Sequence, residues 1–155
     1  MSEICTKYSI IMKVGVQFQH HFKRVEFKYM NLHKIISGSF FILAMTVNFG
    51  FFYGDPTILV EHSVFELFAA IVINLVATVL KLGDRTQLGA VLLATSIVAD
   101  IQLIASATVW AFAEYVMSDF GTEAVVAIIS LSGGALLANI VSVVLFIGDT
   151  LKSKR

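Results

Sequence analysis

The sequence predicts an all-α membrane protein: a membrane-spanning four-helix bundle with its N- and C-termini in the cytoplasm. Of the 155 residues, 57% are hydrophobic and only 14% are charged, whereas soluble domains carry about 25% charged residues. Four apolar runs each approach or exceed the roughly 20 residues that a helix needs to cross a bilayer. Short polar turns join these runs, which favours a single bundle over separate domains.

The first 31 residues are mixed in character and are not expected to span the membrane. From Phe18 onward, apolar residues recur at spacings of four and three, which marks one side of a helix, and basic residues occupy the other side. This stripe consists of Phe18, Phe22, Val25, Tyr29 and Leu32. The pattern is typical of an amphipathic helix on the inner membrane surface, and a disordered basic tail is the alternative. A translation start at Met30 would instead make the preceding residues an artefact.

The four spans are expected near residues 35–53, 58–80, 88–113 and 125–147, within a transmembrane domain of residues 32–148. Pro56 lies in the turn at residues 54–57 and fits the first turn of the second helix. Residues 81–86 and 118–123 form the other turns, and residues 149–155 form a basic cytoplasmic tail. Aromatic residues gather at the ends of the first and third spans, as they do at membrane–water interfaces.

The distribution of charge predicts the orientation. With the N-terminus inside, all eleven Lys and Arg residues lie on the cytoplasmic side, as the positive-inside rule requires. The acids of the outer turns and helix ends are Asp55, Glu61, Glu114, Asp119 and Glu123. They would form an acidic outer mouth that attracts cations, or they simply mark the side from which Lys and Arg are excluded.

Two carboxylates fall inside the predicted membrane segments. Asp100 lies at the middle of the third span, and Glu66 lies about 6 Å outward of the middle of the second, at 1.5 Å per residue. The helix faces that carry them are rich in small residues, so we expect the two carboxylates to approach each other in one interior layer. His62 is one turn from Glu66 and is expected to hydrogen-bond to it. An ionisable group in a membrane is expensive and indicates a functional site by default.

Three interpretations of these polar groups remain open. The first is a proton or cation path, with titrating carboxylates and polar relays; its members would be Asp100, Glu66, His62, Asn74 and Asn139. The second is a structural cluster in which a protonated Asp100 shares hydrogen bonds with Glu66 or a hydroxyl. The third, a metal site at His62 and Glu66, has a weak signal because two such ligands on one helix are common by chance. We therefore expect no metal and no cofactor.

The fourth span suggests assembly. Small residues recur every four positions, a small-xxx-small ridge that suits close helix packing; they are Ser130, Gly134, Ala138 and Ser142. A four-helix subunit is also narrow for enclosing a water-filled path by itself. We therefore expect a homo-oligomer or a subunit of a larger membrane complex; internal packing of the ridge is the alternative.

Residues 46–56, with the sequence TVNFGFFYGDP, and residues 81–103 resemble a family of small bacterial integral-membrane proteins of unknown function. The resemblance covers roughly residues 30–151. It implies a multi-pass protein of the bacterial inner membrane, and it brings no activity, substrate or site with it.

The favoured function is a small channel or transporter-like protein that passes protons or cations, with Asp100 and Glu66 as the exchanging acids and His62 as a relay. The alternative is a non-transporting accessory or scaffold subunit that binds a membrane partner through the fourth helix. An enzyme is not expected, because the sequence has no nucleophile elbow, HExxH motif or phosphate loop. The lipid bilayer is the expected partner and nucleic acid is not, although the net charge of zero by itself argues nothing about nucleic acid.

Overall fold

The computed structural model describes residues 2–117 and 121–152, although not every side chain of the first 31 residues. Within these ranges the chain is helical and contains no strand. The elements are α1 (Ser2–Phe52), a 3₁₀ turn (Leu59–Glu61), α2 (Val64–Lys81), α3 (Gln87–Phe112) with a π-helical turn (Ala113–Met117), and α4 (Thr122–Lys152). Four of the described segments are long and apolar enough to cross a membrane. The all-α, four-span prediction is thereby confirmed, while the orientation of the termini stays a prediction.

The chain divides into two compact units, residues 1–36 and residues 37–155. The first unit is the beginning of α1, in which Met12, Val16 and Phe18 are exposed. The middle of the predicted amphipathic stripe, Phe22, Val25 and Tyr29, lies outside the described side chains. The location of this segment on a membrane surface therefore stays a prediction.

The second unit is the helical bundle. Asn48 of α1 bonds to Ser132 of α4, and Phe41 stacks edge-on against Phe146 with ring centroids 5.2 Å apart. The numbers rise along α1 as they fall along α4, so these two helices run antiparallel. Many large apolar side chains point outward, with Phe65 81% exposed. Large apolar side chains on the outer surface suit a lipid environment, because lipid tails are as apolar as these side chains.

The second helix begins six residues later than the sequence predicted. Gly54 has a φ of +142°, a conformation that glycine adopts readily because it has no Cβ. The His62 ring then contacts the carbonyl oxygens of Phe51 and Asp55, at 2.8 and 3.1 Å. These contacts hold residues 53–63 as a folded loop with one 3₁₀ turn. Pro56 consequently lies in the loop, and the prediction that it opens the second helix is wrong.

The start of the third helix agrees closely with the prediction. Thr86 is the N-cap, and its hydroxyl accepts a hydrogen bond from the Gly89 N–H at 2.9 Å. Asp84 in turn accepts one from the Thr86 N–H at 3.0 Å. These bonds satisfy backbone donors that a helix start otherwise leaves unpaired, and they fix the short connection between α2 and α3.

Candidate functional site

The candidate site forms around the side chain of Lys81. Lys81 is the last residue of α2, yet it is buried, with only 4% of its surface exposed. Its ammonium donates hydrogen bonds to the hydroxyls of Ser96 on α3 and Ser142 on α4, the latter at 3.1 Å. The ammonium nitrogen also lies 4.2 Å from the ring centroid of Phe41 on α1. All four helices of the bundle thus surround one positive charge.

Asp100 lies one helical turn further along α3 than Ser96. It is 7% exposed, and its Oδ2 accepts a hydrogen bond of 2.6 Å from the Thr78 hydroxyl. Its Oδ1 is buried and has no hydrogen-bond partner among the described residues. The charges of Asp100 and Lys81 attract each other through space. The cluster therefore contains both signs of charge and one open carboxylate oxygen.

A hydroxyl pair extends this arrangement. The hydroxyls of Thr95 and Ser142 are 2.6 Å apart, and Thr95 also donates to the Leu92 carbonyl at 2.9 Å. We call the whole set the Lys81 cluster: Thr78, Lys81, Thr95, Ser96, Asp100 and Ser142. Its hydrogen bonds join three helices, so a change of protonation within it alters bonds between α2, α3 and α4.

More buried polar side chains continue along the bundle from this cluster. Asn74 is 1% exposed and donates to the Ala70 carbonyl at 2.9 Å. Ser132 donates to the Asn48 amide oxygen at 3.0 Å, and Ser106 donates to a backbone carbonyl of α4. Ser96 and Ser106 alone are separated by about 15 Å along the axis of α3. Buried polar groups therefore occur over much of the thickness of the bundle.

Asn139 is the other buried polar residue of the predicted path. It lies on α4, one turn before Ser142, and it is 4% exposed. Within the part of the chain that the structure describes, its amide nitrogen has no hydrogen-bond partner, nor has the amide oxygen of Gln102 on α3. An unpaired buried amide group costs free energy, and Asp100 Oδ1 shares this unpaired state with the two amide groups.

Glu66 does not lie in the same layer as Asp100, and this part of the prediction is wrong. Glu66 is exposed on the first turn of α2. Thr78, the residue of α2 that contacts Asp100, lies about 18 Å further along the helix at 1.5 Å per residue. The contacts of Thr78 and Lys81 with α3 set this register. They place the cytoplasm-proximal end of α2, in the predicted orientation, beside Asp100.

His62 is also placed differently from the prediction. It precedes α2, is 4% exposed, and uses both ring nitrogens in contacts with the carbonyls of Phe51 and Asp55. The expected hydrogen bond to Glu66 is therefore not formed. His62 belongs to the 53–63 loop and not to the Lys81 cluster.

The outer acids are dispersed, and two of them organise the 53–63 loop. Glu61 accepts a hydrogen bond of 2.7 Å from the Asp55 N–H. Asp55 accepts bonds from the hydroxyl and N–H of Thr57, at 2.6 and 2.9 Å, and these bonds hold the pKa of Asp55 below its usual range. Glu114 and Glu123 are exposed, and Asp119 lies outside the described residues. No group of three His, Cys, Asp or Glu side chains that could hold a metal ion occurs among the described residues.

The small-residue ridge of α4 is used mostly within the subunit. A Cβ on Gly134 would collide with the Gln102 side chain, and Ser142 belongs to the Lys81 cluster. Ala138 packs on the hydrophobic core, whereas Ser130 is exposed. The ridge therefore brings α4 close to its own bundle, and the expected oligomer stays a prediction.

Lys81 is the main residue that the sequence interpretation missed, because it was assigned to a cytoplasmic turn. The signal was present in the spacing. Ala70, Asn74, Ala77 and Lys81 follow one another at intervals of four, three and four, on the buried side of α2. A basic residue that continues a stripe of small and polar residues points into the bundle.

Comparison with known proteins gave one match. The sequence model of a family of unknown function, DUF6394, matches residues 61–150, which is more than half of the chain. The matched region holds α2, α3 and most of α4, and with them every residue of the Lys81 cluster. No match was found among curated proteins or among solved structures.

Proposed function

The chain belongs to DUF6394, a family of unknown function, and we propose that it is a multi-pass membrane protein that transfers protons through the Lys81 cluster. It would act as a small channel or transporter, or as the subunit of one. The observation that carries the proposal is the open Oδ1 of Asp100, a buried carboxylate oxygen within a membrane-spanning helix.

Asp100 has the properties of a proton-exchanging group. One oxygen is held by Thr78 at 2.6 Å, which fixes the orientation of the carboxylate. The other oxygen is free to take up and release a proton without breaking a hydrogen bond. Buried ionisable groups in membrane segments commonly belong to proton or ion pathways.

Lys81 favours a proton over a metal cation as the transferred species. A fixed ammonium raises the energy of any second positive ion at this level of the bundle by Coulomb repulsion. A proton is different because it moves between groups that are already present. The hydroxyls of Ser96, Ser142 and Thr95 can each donate and accept a hydrogen bond, as a proton relay requires.

The decisive experiment measures flux in liposomes that contain the purified protein. A potassium gradient with valinomycin sets the membrane potential, and an internal pH dye reports proton entry. We expect proton flux with the wild type, and only background flux with Asp100→Asn, whose amide oxygen can still accept from Thr78. In separate liposomes without valinomycin, sodium and potassium fluxes should stay at the level of empty liposomes.

Glu66→Gln is the matched control. It removes one carboxylate from α2, but at an exposed position about 18 Å from Thr78 along the helix, so flux should remain at the wild-type level. Equal flux in wild type and Asp100→Asn, or no flux in either, would contradict the proposal. Loss of flux in Glu66→Gln would instead support the path predicted from the sequence, in which Glu66 takes part.

A scaffold or accessory subunit is the second candidate function. It is favoured by the hydrogen bonds that Thr78, Lys81 and Ser142 make between helices, since bonds of this kind hold a membrane bundle together. This function requires a stable cluster but no titration of Asp100. A folded, stable Asp100→Asn variant in a protein that shows no proton flux would support it.

A further inference from the structure

A cavity at the other end of the bundle is lined by aromatic and acidic side chains. It has a volume of about 580 Å³ and lies between the end of α1, the 53–63 loop and α4. Sites for small molecules typically measure roughly 300–1,000 Å³ and have apolar walls with a few polar groups. Here the apolar wall includes Phe49, Phe52, Tyr53 and Ile129, and the loop side includes Asp55 and Glu61.

We propose that this cavity binds a monovalent organic cation with an apolar body, such as an ammonium or phosphonium ion. The faces of aromatic rings carry partial negative charge and attract cations, most strongly where water is excluded. Three aromatic rings and two carboxylates surround the same space, and its lining includes no Lys or Arg. Binding here does not depend on proton transfer through the Lys81 cluster.

Both carboxylates keep an oxygen available for the cation. Asp55 Oδ1 receives the two bonds from Thr57, and Glu61 Oε2 receives the bond from the Asp55 N–H. Their other oxygens, Oδ2 and Oε1, accept no hydrogen bond from the described residues. The Thr57 bonds also lower the pKa of Asp55, so this residue remains an anion at neutral pH.

The aromatic side of the cavity is held in place before any ligand arrives. The Phe52 ring packs over Gly133, where an added Cβ would lie only 2.7 Å from a ring carbon. The Phe49 and Tyr53 rings pack against each other in a tilted arrangement, with centroids 5.8 Å apart and an interplanar angle of 38°. A site formed in advance loses less conformational entropy on binding.

A cation of this kind can come from two sources. A lipophilic cation can arrive from solution, and the ammonium headgroup of a membrane lipid can arrive from the bilayer. The two are told apart by competition, because a lipid that occupies the site must lower the apparent affinity for a soluble cation.

The test uses the full-length protein in dodecylmaltoside micelles and radiolabelled tetraphenylphosphonium as the probe. We expect saturable binding by equilibrium dialysis. Glu61→Gln and Asp55→Asn keep the hydrogen-bond acceptors of the loop but remove a charge, so each should raise the Kd by about fivefold or more. Tyr53→Leu should raise it by about threefold, the effect of one exposed cation–π contact.

Two controls match these variants. Glu114→Gln removes the same charge from an exposed acid outside the cavity, and Phe65→Leu removes an exposed ring from α2; both should keep the wild-type Kd. Uncharged triphenylphosphine oxide should not compete. Phosphatidylethanolamine that competes when phosphatidylglycerol does not would identify a lipid headgroup as the occupant, and no competition by either lipid would identify a soluble cation.

The proposal is overturned by binding that is unchanged in both Glu61→Gln and Asp55→Asn, by equal competition from the uncharged compound, or by the absence of saturable binding. Melting temperatures of all variants verify that the loop is still folded. Because proton flux is measured separately on Asp100→Asn, failure of this site and failure of the proton pathway give different results.

Discussion

The two ends of the bundle handle charge in opposite ways. At the Lys81 cluster, Lys81 and Asp100 are buried, and their partners come from helices distant in the sequence. In the 53–63 loop, Asp55 and Glu61 are exposed, and their partners lie within a few residues. The Lys81 cluster therefore depends on the assembled bundle, whereas the 53–63 loop is organised largely by its own backbone. Substitutions at the two ends should therefore differ in how much stability they remove and in how much of the structure they affect.

The largest effect is expected from Lys81→Met. The substitution keeps the length of the side chain but removes the two hydrogen bonds that the charged ammonium donates to Ser96 and Ser142, at about 1.5–3 kcal/mol each. It also removes the positive charge that acts on Asp100 through space. We expect a cooperative fall in the melting temperature of the whole bundle in detergent. The double variant Lys81→Met/Asp100→Asn should regain only the part of the loss that comes from the unbalanced charge of Asp100, and Lys152→Met, at an exposed helix end, should have no effect. An unchanged melting temperature in Lys81→Met would remove the distinction between the two ends.

A smaller and more local effect is expected from His62→Phe. The ring volume is kept, but the contacts with the carbonyls of Phe51 and Asp55 are lost, at about 1–3 kcal/mol for buried groups left unpaired. Proteolysis should become faster within residues 53–63, while the rate of hydrogen exchange in α3 stays the same. Faster exchange throughout α3 would show that the loop is coupled to the bundle after all.

Gly54→Ala tests the same loop through its backbone. At a φ of +142°, a residue with a Cβ is strained by about 1–3 kcal/mol, and the new carbon would lie 3.0 Å from the His62 ring. We expect a lower melting temperature and easier cleavage of the loop. Gly50→Ala is the control, since its Cβ would meet nothing within 4 Å in α1 and alanine favours the helix. Equal destabilisation by both substitutions would argue against a special conformation at Gly54.

The smallest effect is expected from protonation of Asp55. Its pKa is lowered by the hydrogen bonds from Thr57. A depressed pKa means that the bonds contribute stability above the ordinary value of 3.8 and lose that contribution as the pH falls through the lower folded value. The amide signal of Thr57 in NMR spectra should therefore titrate with a midpoint below pH 3.8. A midpoint above this value would show that the bonds do not hold the carboxylate.

The sequence predicts the helices well because hydropathy and helix length are properties of contiguous residues. The predicted start of α3 agrees with the structure because the N-cap at Thr86 depends only on contacts within a few residues. The start of α2 was missed because the His62 contacts override an apolar run that looks helical by itself. Lys81 was missed because a basic residue at a span end is usually interpreted as one that extends to the interface. The Ser96 and Ser142 hydroxyls that hold it come from other helices, and their proximity is set only by packing.

The lengths of the helices also affect how well the protein matches the thickness of a membrane. The 18 residues of α2 give a length of about 27 Å, whereas the 31 residues of α4 give about 46 Å. A terminal lysine usually lengthens a short helix by reaching to the headgroups, but Lys81 points inward and cannot do so. A bilayer with a hydrocarbon core thicker than about 30 Å must therefore thin beside α2, at a cost of fractions of a kcal/mol per Å. We therefore expect this one inward side chain to give the protein a preference for thinner membranes.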